Sequence, residues 1–240
     1  MTNIKRAFNR AANTYDDSML QQKIGGTLLQ FVEKLNLPNP IRVIDLGCGT
    51  GLVTEKLAQL FPNQEIHAID IADQLLQLAK KRLGHTTIKI DEADYHSLSY
   101  KNYFDLVFSN MALQWSENIC ETLKKINGYL TKKSALAFSV PLPGTLNELN
   151  NQFEILPFTS QKIIETTLMD LGFNFTSHVE SITLSFDNTL LALKCIKNMG
   201  ANQVLKRTQK HLSKKINFNH FHISKLTFII AYFMAEKNEK

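Results

Sequence analysis

The chain has 240 residues, 44% of them hydrophobic, which is enough to build the core of one α/β domain of ordinary size. No stretch reaches the roughly 18 consecutive apolar residues of a membrane-spanning helix, and no apolar segment follows the basic N-terminus as in a signal peptide, so we expect a cytoplasmic protein. The net charge is only +5, and three widely spaced cysteines without a CxxC pair indicate reduced thiols, with neither a disulfide framework nor a metal site.

The first part of the chain alternates between helix and strand patterns. Helical spacing over residues 3–35 ends at the proline-containing segment Leu37–Pro40. The predicted elements that follow are strand Ile41–Leu46, helix Leu52–Phe61, strand Glu65–Asp70, helix Asp73–Leu83, strands Thr87–Asp91 and Phe104–Ser109, helix Ser116–Leu130 and strand Ser134–Val140. Strands that alternate with helices predict a parallel sheet covered by helices on both faces.

Past Gly144 the pattern is less regular. The predicted elements are helix Ser160–Leu171, strand Phe173–Leu184, helix Leu190–Met199 and strand Leu226–Met234, with Asp73 and Ser160 as helix N-caps. These elements predict a doubly wound α/β fold with a mostly parallel seven-stranded sheet, N-terminal lid helices and a basic helical insertion before the last strand. We expect one domain over residues 1–240, with lid helices in 1–40, a cofactor-binding core in 41–140 and substrate-side elements in 141–240.

The basic residues are concentrated near the end of this order of elements. No Asp or Glu occurs between Asp187 and Glu236, whereas eight basic residues do: Lys194, Lys197, Lys206, Arg207, Lys210, Lys214, Lys215 and Lys225. The charge of +8 in this stretch exceeds the net charge of +5 for the whole chain, so the rest of the chain has a net negative charge. We expect an acidic partner to bind around Lys206–Lys215, which we call the basic segment; the alternative is that these side chains only solvate helix faces.

A strand that runs into a glycine-rich loop is the clearest chemical signal. Val43–Gly51 has three glycines within five positions, so the backbone can approach a cofactor closely. A dinucleotide loop of the form G-x-G-x-x-G would need glycine at position 52, where the chain has leucine, so NAD and FAD are disfavoured. The pattern Asp45-x-Gly47-x-Gly49-x-Gly51 resembles instead the first motif of class I S-adenosylmethionine (SAM) methyltransferases. That resemblance implies SAM as the cofactor, with the acid facing its ammonium group.

Further cofactor contacts are expected at the ends of the next strands. Asp70 ends the second strand, where a carboxylate can accept both hydrogen bonds of a ribose diol, and Ile71 follows it; alternatively, Asp70 only begins the next helix. Asp94 follows the third strand, where SAM methyltransferases commonly have an acid near the adenine amine. Asn110 ends the fourth strand and should face the cleft in which the methyl group is presented.

Two features point to the acceptor side of this cleft. The only tryptophan, Trp115, follows the fourth strand, so its indole N–H could donate to an acceptor oxygen, unless the ring only packs a helix on the sheet. The N-terminal segment Phe8–Asp16, with Gln21 and Gln22 beyond it, could cover the cleft as a mobile lid. It could equally pack on the core as an amphipathic helix, and the two roles are compatible.

Taken together, these segments resemble the malonyl-acyl-carrier-protein O-methyltransferase family of biotin synthesis over nearly the whole chain. The matching segments are Ala7–Ala12, Tyr15-Asp16, Leu20–Gln22, Val43–Gly51, Ser109–Trp115, Pro143–Leu149, Ile182–Asp187 and Lys197–Ala201. The chain departs from the family pattern by being shorter after Leu149 and within the basic segment, and by having Phe228 where many members have tyrosine. These substrate-side differences leave the malonyl carrier open between acyl carrier protein and coenzyme A.

The resemblance implies methylation of the free carboxylate of a malonyl thioester. A carboxylate with a pKa of about 4 is already an anion at pH 7, so the reaction needs no general base. Holding one oxygen in line with the methyl group in a dry cleft can lower the barrier by roughly 7–11 kcal/mol. Tyr15, Gln22 and Trp115 are the candidates for holding the carboxylate, with Arg10 either helping there or fixing the lid.

The resemblance also implies an acyl carrier protein as partner. Acyl carrier proteins are strongly acidic, so we expect Lys206, Arg207, Lys210, Lys214 and Lys215 to steer and seat the carrier. Three other functions stay open at this point: methylation of another small molecule such as a quinone precursor, a non-catalytic SAM-binding module that docks acidic proteins, and RNA methylation. The last is disfavoured because no Asn-Pro-Pro-Tyr tetrapeptide follows the fourth strand and no RNA-binding module is attached.

Overall fold

The computed structural model describes residues 2–39, 41–150, 153–201, 205–207 and 222–237. These residues form nine strands, namely β1 Arg42–Leu46, β2 Glu65–Asp70, β3 Lys89–Glu92, β4 Phe104–Asn110, β5 Leu130–Pro141, β6 Phe153–Ile155, β7 Asn174–Ser185, β8 Leu205–Arg207 and β9 Lys225–Lys237. The α-helices in the described ranges are α1 Thr2–Tyr15, α2 Met19–Val32, α3 Leu52–Leu60, α4 Asp73–Leu83, α5 Ile119–Tyr129, α6 Gln161–Asp170 and α7 Thr189–Asn198.

Seven of the strands form one sheet in the order β3-β2-β1-β4-β5-β9-β7. Strands β1 to β5 are parallel, whereas β9 lies between β5 and β7 and runs antiparallel to both. The chain moves outward from β1 to β3 and then returns to β4 on the other side of β1, so the strand order reverses between β1 and β4. The predicted doubly wound, mostly parallel, seven-stranded sheet is confirmed, and such a reversal opens a crevice at the carboxyl ends of the strands.

Alternation along the central strands divides the core between the two faces of the sheet. In β1, Val43 packs with α2 residues such as Leu28, whereas its neighbour Ile44 packs with Leu123 of α5 on the opposite face. Both strand residues are fully buried. Strands covered on both faces are apolar at nearly every position, which is why these segments were identifiable from the sequence.

Several predicted helix boundaries are corrected by local capping. The predicted helical stretch 3–35 is two helices, because Ser18 caps α2 by accepting a hydrogen bond from the backbone N–H of Gln21. The helix predicted from Ser116 begins at Ile119, after the N-cap Asn118. Asp73 is not an N-cap, since Ala72 holds that position. Ser160 is the N-cap of α6 as predicted, although its side chain makes no capping hydrogen bond.

The basic segment is described in only one short part. Residues 205–207 form β8, which pairs antiparallel with β6 so that Lys206 lies opposite Glu154 along the backbone. The helical insertion predicted before the last strand is wrong at these three residues, because they form a strand whose backbone pairs with β6. Lys210, Lys214 and Lys215 lie outside the described residues.

Helix α1 lies over α4, next to the glycine loop. Ala12 and Leu75 pack together between the two helices, and Asn9 donates a hydrogen bond to Asp73 at 2.9 Å. Lys5 adds an ion pair with the same carboxylate at 3.1 Å. The N-terminal helix therefore covers the carboxyl-end side of the sheet. In the described part of the chain, none of the helices has the length and apolarity needed to cross a membrane.

Candidate active site

The glycine loop after β1 uses its three glycines for different purposes. Gly47, Gly49 and Gly51 all have positive φ, at 80°, 56° and 76°. A Cβ at Gly47 would lie 2.4 Å from Cβ of Ala112, and one at Gly51 would lie 2.8 Å from Cδ1 of Leu83, so these two glycines allow the loop to pack on its neighbours. A Cβ at Gly49 would instead meet the Tyr15 ring at 3.3 Å. Gly49 is thus the loop glycine that packs against Tyr15 of α1.

Two carboxylates flank this loop, Asp70 half-buried and Asp45 buried. Asp70 accepts hydrogen bonds from the backbone N–H groups of Gly49 at 2.9 Å and Ala72 at 2.8 Å. Burial raises the pKa of Asp70, and the backbone donors oppose that shift. Asp45, which is 2% exposed, accepts a 2.6 Å hydrogen bond from the Thr54 hydroxyl. Burial raises the pKa of Asp45 to about 7, so this carboxyl can gain or lose a proton near neutral pH.

The raised pKa of Asp45 predicts a pH-dependent stability. Asp45 has a pKa of about 7 in the folded protein and an ordinary pKa of 3.8 when unfolded, so the folded state binds a proton more tightly. The stability that this proton provides is present at low pH and is lost as pH rises from about 4 to 7. The free energy of unfolding of the protein without ligands should therefore fall relative to that of an Asp45→Asn variant over this range, with a slope of at most about 1.4 kcal/mol per pH unit. Denaturant titrations between pH 5 and 8.5 measure the difference, with Asp170→Asn, at an exposed carboxyl of α6, as the control. A difference that does not change with pH would contradict the prediction.

Tyr15 divides the cleft at the carboxyl ends of the strands into two cavities. The Asp45 cavity is lined by Tyr15, Asp16, Ser18, Gln21, Gln22, Asp45, Gly47, Cys48, Thr50, Leu52, Val53 and Asn110. The Asp70 cavity is lined by Ile4, Phe8, Tyr15, Gly47, Asp70, Ile71, Leu75, Tyr95, Met111, Ala112 and Trp115. Tyr15 and Gly47 belong to both. The structure therefore brings most of the sequence-predicted site residues to one cleft, distributed over two adjoining cavities.

The candidate acceptor-side residues are neutral donors. Tyr15 is half-buried, and loss of solvent around its hydroxyl together with the nearby charge of Asp70 raises the pKa of that group, which stays protonated at neutral pH. The ring of Trp115 packs edge-on against Phe8 of α1, with ring centroids 5.5 Å apart. Its buried Nε1 has no hydrogen-bond partner among the described residues. Gln22 donates to the backbone carbonyl of Asp16 at 2.8 Å. A buried indole N–H without a partner is a donor available to a ligand.

Other predicted residues lie elsewhere or have protein partners. Asn110 lines the Asp45 cavity and accepts a hydrogen bond from the Ser139 hydroxyl at 2.8 Å. Asp94 accepts from the backbone N–H of His96 at 2.8 Å and lines a neighbouring groove that Trp115 also lines, not the two cavities. Arg10 is exposed on α1 and lines neither cavity. Gly49 and Gly51 also line neither, because Gly49 packs against the Tyr15 ring and Gly51 supports the packing of the loop.

Sequence reasoning missed several residues of the cleft. Tyr95 walls the Asp70 cavity, and its hydroxyl donates to the carbonyl of Ala112 at 3.2 Å; its position directly after Asp94 was the signal available. Asp16 stands in the N-terminal motif but had no role in the predictions. Arg82 had no local signal, because it contacts Asp16 across 66 positions of sequence. The described residues contain no group of three or more His, Cys, Asp or Glu side chains that could hold a metal ion.

Known proteins with similar sequences identify the family of this chain. A family model described as a methyltransferase domain matches residues 39–176, more than half of the chain. A malonyl-acyl-carrier-protein O-methyltransferase 2 of Coxiella burnetii is 36% identical over 239 residues, covering 98% of this chain and 95% of the relative. The chain belongs to the malonyl-acyl-carrier-protein O-methyltransferase family. The protein is accordingly a SAM-dependent methyltransferase. The family and the enzyme class predicted from the sequence are therefore confirmed.

A second relative agrees with this family membership, and a solved structure agrees with the fold. A malonyl-acyl-carrier-protein O-methyltransferase of Halorhodospira halophila is 30% identical, covering 83% of this chain and 71% of the relative. Among solved structures, the YcgJ protein from Bacillus subtilis is similar with a TM-score of 0.64 and 11% identity, covering 90% of this chain and 99% of that one. At that identity the structural likeness supports the fold alone.

Proposed function

We propose that the protein transfers a methyl group from SAM to the free carboxylate of a malonyl group carried by acyl carrier protein, giving a methyl ester early in biotin synthesis. The observation that carries this proposal is the partnerless indole N–H of Trp115, buried in the cavity that also contains Asp70. A donor for an anionic acceptor thus lies next to a candidate cofactor contact. The names of the relatives from Coxiella and Halorhodospira support the same acceptor.

The cleft suits SAM as a cofactor. Gly47 lines both cavities without a side chain, so the loop backbone can approach a ligand closely. Each oxygen of Asp70 accepts one backbone hydrogen bond, so each keeps a lone pair for a ribose hydroxyl. Asp45 can lose its proton near pH 7 and pair with an ammonium group. Ile71 and Leu75 offer apolar surface for the adenine. SAM supplies an electrophilic methyl group on positively charged sulfur.

The protein's own task is then to hold the acceptor carboxylate. Tyr15 and Trp115 would each donate one hydrogen bond to it, and Gln22 would add an amide at the mouth of the Asp45 cavity. Neutral donors position a carboxylate without stabilising it as strongly as a bidentate guanidinium would, so the oxygen stays nucleophilic. The exposed position of Arg10 fits this arrangement. Because the carboxylate is already an anion, no residue has to remove a proton.

In this proposal the three parts of the chain divide the work. Residues 1–40 cover the cleft and supply Tyr15 and Gln22 to the acceptor carboxylate, 41–140 hold SAM and supply Trp115, and 141–240 contact the carrier. The reaction would take place in the cytoplasm, which is consistent with Cys48, Cys120 and Cys195 being free thiols.

Transfer of labelled methyl from SAM tests the acceptor directly. Malonyl-acyl carrier protein should be methylated, and its turnover compared with that of malonyl-coenzyme A shows which carrier the enzyme prefers. Succinyl-acyl carrier protein should react poorly, because its carboxylate lies one methylene further from the thioester. Equal turnover of malonyl and succinyl substrates, or turnover only of unrelated small molecules, would contradict the proposed acceptor. No transfer to any acceptor, despite SAM binding, would favour a non-catalytic module.

The proposal includes docking of the acidic carrier at the basic segment. Lys206 and Arg207 are in β8, and the acid-free sequence around them continues to Lys215. A basic surface attracts an acidic partner over about 10 Å at ordinary salt and mainly raises the rate of association. Charge in this segment should therefore affect carrier capture and leave the methyl-transfer step unchanged.

Charge reversal gives a measurable expectation. In a Lys206/Arg207/Lys210→Glu variant, kcat/KM with malonyl-acyl carrier protein should fall at least about tenfold at low salt, while SAM affinity and turnover of a short malonyl thioester stay near native. Added salt should lower the kcat/KM of the native enzyme with malonyl-acyl carrier protein, and so reduce the difference between the native enzyme and the variant.

A matched variant separates docking from a general charge effect. Lys101/Lys132/Lys133→Glu makes the same change in net charge at exposed lysines near the amino ends of the strands, opposite the cleft, and it should behave like the native enzyme. If the first variant lost activity equally on carrier-bound and short substrates, or if native activity ignored ionic strength, the docking proposal would be wrong.

A further inference from the structure

Three side chains from three elements meet beside the turn between α1 and α2. The carboxylate of Asp16, directly after α1, accepts a 2.5 Å hydrogen bond from the hydroxyl of Thr50 in the glycine loop. It also accepts a 2.7 Å hydrogen bond from Nη2 of Arg82, in the last turn of α4. The other terminal nitrogen of Arg82, Nη1, donates to the backbone carbonyl of Thr50 at 2.6 Å. The guanidinium thus bridges the glycine loop and the lid.

A basic residue in the last turn of a helix has an ordinary explanation in the helix dipole. Lys80 and Lys81 of the same turn fit that explanation, because both are exposed. Arg82 differs from them: its side chain is only 24% exposed, and two of its nitrogens have partners outside α4. A planar guanidinium is suited to such a two-point contact, and a lysine is not.

The contacts of Asp16 reach the centre of the cleft. Asp16 follows Tyr15, whose ring lies over Gly49 and separates the Asp45 and Asp70 cavities. The backbone carbonyl of Asp16 also accepts the hydrogen bond from Gln22. Fixing Asp16 therefore fixes two of the side chains proposed to hold the acceptor carboxylate.

The same contacts bear on how a cofactor enters. Asp45 and Asp70, the proposed partners of the two ends of SAM, lie in cavities on either side of Tyr15. A molecule that contacts both carboxylates has to pass beneath the Tyr15 ring. The lid must move aside for entry and release, and the strength of its attachment then governs how often it does so.

We infer that Asp16, Thr50 and Arg82 form a clamp that holds the α1–α2 lid closed over the cofactor cleft and so sets the residence time of bound SAM. The inference rests on the cofactor site of the proposed function. The three residues are positioning residues, since they act through Tyr15 and Gln22 and through closure of the cleft.

Removing the guanidinium tests the clamp. An Arg82→Ala variant should release SAM at least about tenfold faster and bind it about tenfold more weakly, the scale of losing a hydrogen-bonded ion pair that is partly shielded from water. Arg82→Lys should recover only part of the loss, because one ammonium group cannot reproduce both contacts. Stopped-flow displacement gives the release rate, and calorimetric titration gives the affinity.

A second readout needs neither SAM nor turnover. Trp115 is the only tryptophan, and its ring packs against Phe8 of the lid. An open lid exposes the indole, so acrylamide should quench the fluorescence of Arg82→Ala more strongly than that of the native protein. Asp16→Asn should shift quenching in the same direction, since it removes the charge that Arg82 contacts while keeping the shape of the side chain.

An arginine–aspartate pair elsewhere provides the control for general destabilisation. Arg42 pairs with Asp105 at 3.6 Å and is 38% exposed, at the amino end of β1 and away from the cleft. Arg42→Ala should leave SAM release and quenching near native even if its melting temperature falls. Native-like release and quenching in Arg82→Ala, or equal changes in Arg42→Ala, would overturn the clamp. If the native protein bound no SAM, the proposed function would fail, and quenching would still decide whether the clamp holds the lid.

Discussion

A Gly49→Val variant should lose measurable SAM binding. Gly49 has φ +56°, a conformation that an L side chain adopts at a penalty of about 1–2 kcal/mol. Even a bare Cβ there would lie 3.3 Å from the Tyr15 ring, and the two γ-carbons of valine extend further into the space beneath the lid. Because that space is where the loop backbone has to approach the cofactor, the substitution should block binding itself, beyond any loss of stability.

Calorimetric titration with SAM measures the effect. Far-UV circular dichroism and the melting temperature establish that the variant is folded. Gly26 of α2 is the matched control, because a Cβ there meets nothing within 4 Å and its φ is not positive. A Gly26→Val variant should therefore bind SAM like the native protein. Near-native affinity in folded Gly49→Val would refute the assignment of this loop to the cofactor.

Replacing Asp70 with alanine should weaken SAM binding by about 1.5–3 kcal/mol, the scale of hydrogen bonds to a charged group. The carboxylate has two possible roles, since it accepts backbone hydrogen bonds from Gly49 and Ala72 and, in our proposal, hydrogen bonds from the ribose. A double-mutant cycle separates these roles. Affinities of native and Asp70→Ala proteins are measured for S-adenosylhomocysteine and for its analogue without the ribose 2′-hydroxyl.

If Asp70 binds the ribose, removing the hydroxyl should weaken binding to the native protein and change little in Asp70→Ala, so the two effects are not additive. Asp91→Ala is the control, because it removes a carboxylate of the neighbouring strand β3 that also accepts hydrogen bonds but lines neither cavity. Fully additive effects would mean that Asp70 only shapes the loop and does not contact the ribose.

The parts of the fold predicted from the sequence are those with local signals. The boundaries of β2 and α4 were predicted to the residue, because a short, mostly apolar run, an acidic strand end and a helix pattern lie within one continuous segment. Asp70 and Ile71 were predicted at the cleft because parallel strands bring their carboxyl ends to the same edge. The break between α1 and α2 was missed, since a lone Ser18 is a weak capping signal inside a long helical pattern.

The parts of the candidate site that could not be predicted depend on contacts distant in sequence. The partners of Arg82 lie 66 and 32 positions away, and nothing around Arg82 indicates them. Asp94 is expected at the adenine because of its place after β3, and that stays a prediction; its carboxylate also bonds to His96 two residues later, as is typical of Asp in turns, which the sequence position alone did not indicate. Whether a polar side chain faces a ligand or its own backbone depends on side-chain geometry, which residue type and spacing do not specify.

The position of β9 has a consequence for how the molecule is made. Lys225–Lys237 is the last described strand of the chain, yet it lies between β5 and β7 and pairs with both along most of its length. A nascent chain that has left the ribosome only as far as residue 224 has β5 and β7 without the strand that joins them. The parallel half of the sheet can form early during synthesis, whereas the antiparallel half must wait, and pairings between such distant segments are slow. Until then the edge of β5 that pairs with β9 is unpaired, and such an edge favours aggregation of the newly made protein.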